Sequence, residues 1–329
     1  KIENEKRDDG INSMSSHFLG YFISAANTIF ETIHIQSYNL NRPVISNPLY
    51  IFIRDFVKLD EYINYLKQEQ SVSSEIIEIY LLLIKLCLRP EDEKAYNGLR
   101  LILRKNFGVL SKWQVSNIYT SLERIAAILE AKDRKYSGLL FDIYKEEVKY
   151  NLYSFTEDGP MQPSFFTGAV IHAALQGEYN WAYDFIKEYK NRVLPEYRES
   201  RHKHALAILA FEQKDFDEAL KLISRIKYEA FAFRYYLKSL QLKIYYELNM
   251  YEEAMSLIDT FRHFLSSTKS LPQFRKDRYS GFIRYTAQLL RAKEKELELN
   301  LPGLRSEIEN ENMLVEKKWL MEKAEELIG

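Results

Sequence analysis

Apolar residues recur at three- and four-residue spacing along almost the whole chain, and no sustained alternating run interrupts them. Ile118, Leu122, Ile125, Ala126 and Leu129 fall on one helical face. Ala205, Ile208, Leu209 and Phe211 form another, answered across a tight turn by Leu220 and Ile223. The pattern predicts about fourteen helices of ordinary globular length. Short polar connections at 70–74, 89–92, 131–133 and 176–178 make successive helices antiparallel neighbours. Longer breaks fall at 39–48 and 156–163, each with two prolines, and at 300–303, ahead of a charged helix expected over 307–328. The expected organisation is a flexible tail over 1–10, an N-terminal helical-hairpin region over 11–155, repeats over 156–300 and a charged capping helix over 301–329. All of these are read as one continuous array.

The turn-residue content agrees with this. Eleven glycines and eight prolines in 329 residues are too few for a β-sandwich, a barrel or a doubly wound sheet. Forty-six basic against 47 acidic side chains give a net charge of −1, which excludes nucleic-acid binding through bulk charge. The single cysteine, Cys87, permits no intrachain disulfide and no thiolate metal site. It lies in the run Leu81 to Leu88 and is expected as a small buried hydrophobe, compatible with a reducing, cytoplasmic setting. No secretory signal is expected from the mostly charged residues 1–10. Residues 11–30 carry no formal charge and are long enough to span a bilayer, but Asn12, Ser13, Ser15, Ser16 and Asn27 would have to be buried in it. An amphipathic first helix is expected instead.

Three segments repeat. Ala182, Ala219 and Ala254 open equivalent stretches 37 and 35 residues apart, and an aromatic (Tyr179, Phe216, Tyr251) precedes each alanine by three positions. The helix before each turn ends in Ala173-Ala174, Ala210-Phe211 or Tyr245-Tyr246, and Gly177, Lys214 or Asn249 occupies the turn. This resembles the tetratricopeptide repeat, whose period is about 34 residues, clearest over 162–266 and closest at Phe211 to Leu220. In that unit Asp215 is placed to cap the second helix and Glu218 to complete a capping box. Lys214 departs from the pattern, since a left-handed turn residue is normally glycine or asparagine. The resemblance implies an all-α, right-handed superhelix (an α-solenoid) of antiparallel helical hairpins.

Little in the sequence points to catalysis. His202 and His204 are two apart, so on a helix they diverge, and no other metal-ligand spacing occurs. Glu199-Ser200 has the residue types of a transglycosylase centre without that family's downstream motifs and reads as a helix start. No phosphate loop, nucleophile elbow or Ser/His/Asp context appears, so neither an enzyme nor a cofactor is expected. Two basic clusters interleaved with tyrosine, at 197–204 and 275–285, are matched by acidic residues elsewhere, and no nucleic-acid partner is expected.

Superhelices of the resembled kind line their concave face with the first helix of each hairpin. On that alignment the candidate binding residues are Arg201, His204, Tyr236, Ser239, Lys243 and Tyr246. Ile208 and Phe211 lie on the same face but suit packing between repeats. Aromatic bodies with a few positive heads suit a peptide or protein segment. The expected function is a non-enzymatic interaction scaffold. The alternative is a sensory or regulatory module that binds a ligand or peptide and whose effector domain lies outside this sequence.

Overall fold

Caps and prolines decide where the helices start. In the computed structural model Asn47 accepts hydrogen bonds from the N–H groups of Leu49 and Tyr50, with Pro48 at the first helical position. Ser71 and Ser74 close a capping box, and Asp92 accepts from Ala95 N–H at 2.9 Å. The structure describes residues 2–329 except 41–46, 70, 133, 155, 157, 227–233, 270, 295–299 and 312–313; the side chains of 2–11, 34–40, 72, 131, 132 and 134 also lie outside the description. The described residues are all-helical, in sixteen α-helices and without a strand. They divide into two compact units, Lys1–Pro160 and Met161–Gly329.

The first unit holds α1 (Ile2–Leu40), α2 (Pro48–Phe56), α3 (Leu59–Glu69), α4 (Val72–Leu88), α5 (Glu93–Lys105), α6 (Lys112–Lys132) and α7 (Leu139–Lys149). Residues 2–10, expected as a tail, are the start of α1. That helix packs on α4 and buries Ile23, Ala26 and Phe30, while Met14, Phe18 and Tyr21 face outwards. Leu83, Ile84, Leu86, Leu99, Leu103, Leu122 and Ile125 fill the core. No helix among the described residues is long and apolar enough to cross a membrane.

The second unit holds α8 (Pro163–Leu175), α9 (Tyr179–Tyr189), α10 (Pro195–Glu212), α11 (Phe216–Ser224), α12 (Arg234–Glu247), α13 (Tyr251–Ser267), α14 (Gln273–Lys293), α15 (Leu301–Asn310) and α16 (Lys317–Ile328). The turns α8–α9, α10–α11 and α12–α13 are built alike. Gly177, Lys214 and Asn249 all take the left-handed conformation, with φ of 74°, 64° and 56°. In each turn that residue's N–H bonds to the carbonyl three back, and the next N–H reaches five back: Glu178 to Ala173, Asp215 to Ala210 and Met250 to Tyr245. Ala182, Ala219 and Ala254 are fully buried behind them. Lys214 holds this conformation against its own Cβ, and its side chain is exposed. Lys214→Gly is therefore expected to raise the urea midpoint, by about 0.5–1 kcal/mol of stability; an unchanged or lower midpoint contradicts this.

Three local expectations need correcting. Asp215 caps α11, accepting from Glu218 N–H at 3.1 Å, but Glu218 does not complete a capping box. The Asp215 N–H already serves Ala210, so the Glu218 carboxylate pairs with Lys221 at 2.7 Å instead. Glu199-Ser200 lies inside α10, because Pro195 starts that helix one turn earlier. The single helix expected over 307–328 is two helices: Asn300 caps α15 by accepting from Gly303 N–H, and α16 follows Glu316, whose φ is 55°.

Candidate functional site

The six predicted binding residues all lie on α10 and α12, but the structure treats them differently. His204, Ser239, Lys243 and Tyr246 are buried; Arg201 is half-buried, and Tyr236 is 45% exposed. Two of the buried four, Lys243 and Tyr246, meet the chain's own C-terminal segment. Lys243 Nζ meets Glu316 Oε2 at 2.8 Å, across 73 residues of sequence, and stands 4.7 Å over the Phe211 ring. Tyr246 packs edge-on against Trp319 at 5.1 Å and carries Lys293 Nζ on its face at 4.4 Å. Trp319 Nε1 and Lys323 Nζ both reach Glu247 Oε1 at 3.0 Å. The last helix thus closes the Lys243 end of this face. Local periodicity places Lys243 and Tyr246 on the face but carries no sign of what covers them.

Electrostatics divides the face further. Burial, with the charges of Arg201 and Lys243, pushes the His204 imidazole down to about 3, so it stays neutral at physiological pH. It is a packed histidine and no switch. Glu212 borders the same end: burial raises its carboxyl above the usual range, while Lys243 pulls it back. Among the described residues Ser239 Oγ, which is buried, has no hydrogen-bond partner.

At the other end the arrangement is guanidinium against phenol. Burial pulls Arg201 and Arg278 below the usual guanidinium range. Tyr236, Tyr235 and Tyr197 pull Arg201 part of the way back, as Tyr279 does Arg278. Arg275 donates to Tyr235 OH and lies 5.6 Å over its ring. The Tyr235 ring stands 4.4 Å from Tyr236 and 4.9 Å from Tyr279. Burial drives the Tyr235 and Tyr279 hydroxyls well above their ordinary range, so they remain neutral donors and acceptors. The chain matches no family model, no curated protein and no solved structure. Arg275, Arg278 and Tyr279 stood in the sequence as part of a basic cluster. The meeting of Arg275 and Tyr279 with Tyr235 depends on α12 and α14 sharing a face, which linear spacing does not disclose.

Elsewhere, several buried polar groups of the first unit are paired. Glu31 accepts from Ser121 Oγ, and Arg124 donates to Cys87 Sγ at 3.2 Å; burial keeps that thiol protonated. Glu123 and Glu147 are hydrogen-bonded carboxyls on α6 and α7. Among the described residues no group of three His, Cys, Asp or Glu side chains could hold a metal ion.

Proposed function

We propose that this chain is a non-enzymatic protein-interaction scaffold, a tetratricopeptide-like solenoid that binds a peptide or protein segment on the concave side of its second unit. The three like turns after α8, α10 and α12 support the repeat reading, because each sets its hairpin with one hydrogen-bond pattern. The observation that carries the binding reading is the Arg201–Tyr236–Tyr235–Arg275–Tyr279–Arg278 cluster. Aromatic rings and guanidinium groups gathered on one partly open face are the side chains most enriched at binding hot spots. The working surface is this cluster, while Lys243 and Tyr246 belong to the packing beneath α16.

A photo-crosslinking residue at position 236, expressed in the native cell, tests the proposal. It is expected to trap a defined protein, whereas the same residue at exposed Asp217 on α11 traps none. No adduct at 236, or equal adducts at both positions, would sink it.

A further inference from the structure

Helix α1 carries two apolar stripes. At about 100° per residue, Ile23, Ala26 and Phe30 fall on the side that packs on α4. Met14, Phe18, Tyr21 and Ala25 fall roughly opposite, at the alternating four- and three-residue spacing of a coiled-coil seam. Met14, Phe18 and Tyr21 are 69%, 72% and 76% exposed, and Phe22 and Ile29, exposed too, flank the stripe. A helix with apolar residues on two sides is favoured where both sides are covered. The chain's own α4 covers one.

We propose that the outer stripe pairs with the same stripe of a second copy of this chain, making the protein a homodimer through α1. The spacing asks for a helix, because a repeat near 3.5 residues keeps one helix facing another along its length. The face is also its own complement. Residues 11–30 carry no formal charge, and Ser15, His17, Phe22 and Ser24 stand beside the seam, so nothing there repels an identical face or selects a different one. Ala25 leaves room for the two backbones to approach. The area suffices: an aromatic side chain carries about 150–250 Å² of surface, so the exposed stripe amounts to roughly 600 Å² per copy, and a pair removes roughly 1,200 Å², the lower bound for stable interfaces. A lipid surface fits less well, since 11–30 holds no lysine or arginine to engage headgroups.

The test is sedimentation equilibrium on the full chain. Wild type is expected to be a dimer at about 50 μM, since an interface of this size suits micromolar affinity. Phe18→Glu with Tyr21→Glu sets like charges against each other in the seam and should weaken the dimer about a hundredfold or more. Helical content should be retained, because both rings are exposed in the single chain. Leu101→Glu, at a comparably exposed apolar position on α5, should leave the dimer intact. A monomeric wild type at this concentration overturns the proposal, and so does a folded double variant that still dimerises. If the double variant does not fold, a photo-crosslinking residue at position 21 decides. A covalent dimer joined from α1 to α1 is expected, and no such adduct, or one mapping elsewhere, overturns the pairing. Wild type that is monomeric and floats with phosphatidylcholine vesicles would assign the stripe to a membrane surface and overturn it as well.

Discussion

Trp319→Ala is expected to lower the stability of the second unit by about 3–5 kcal/mol, the usual cost of removing a buried indole. Trp319 is 8% exposed, edge-on to Tyr246 and 6.1 Å from Phe282, with its Nε1 on Glu247. Truncation removes all these contacts and leaves a cavity between α12, α14 and α16. Trp319→Phe keeps a ring and loses one hydrogen bond to a charged acceptor, and should cost about 1.5–3 kcal/mol. Urea unfolding followed by circular dichroism separates the two. A loss below about 1 kcal/mol for the alanine variant would mean that α16 is no part of the core. Lys243 and Tyr246 would then be open to join the proposed binding surface.

Glu147→Gln should do the opposite and stabilise the first unit at neutral pH. Burial first, then the Glu123 carboxylate, and more weakly Glu146, hold the Glu147 carboxyl protonated well above the ordinary carboxylate range. The folded state therefore keeps a proton that the unfolded chain releases near 4.5. The stability tied to this proton is complete below that value and drains away as pH rises through the higher folded value. An amide at this position keeps a hydrogen bond to Glu123 and titrates nowhere. The variant should be more stable by about 1–3 kcal/mol at pH 8 and nearly equal at pH 4. Parallel stability–pH curves for the two proteins would refute the assignment. Tyr144, which donates to Glu123, belongs to the same network.

The all-helical character and the turn positions were legible because they are local. Ala219 must be small behind a tight turn, and Gly177 and Asn249 are residues suited to positive φ, whatever lies elsewhere in the chain. Glu147 was legible in principle. It falls in register with Leu140, Ile143 and Tyr144, on the face that α7 buries, yet its neighbours Lys145 and Glu146 make the stretch read as solvated. The candidate face was half legible: periodicity found Arg201 and Tyr236 but also selected Lys243 and Tyr246. The contact that closes over them comes from Glu316 and Trp319, and no spacing rule reaches that far. The break between α15 and α16 was obscured by a run of charged residues that favours helix on both sides of it.

The placement of Cys87 and the tryptophans lets the two units report on themselves. The chain's single thiol is buried in the first unit, so its rate of modification by a thiol reagent follows the opening of that unit alone. Trp319 is buried in the second unit and Trp181 there stacks on Phe185 at 5.1 Å, whereas Trp113, the tryptophan of the first unit, is exposed. A shift in emission colour on denaturation therefore comes chiefly from the second unit. Wild-type protein, without labels or added probes, can show whether the units melt together: coincident thiol and emission transitions mean one cooperative block, and separated ones order the two in stability.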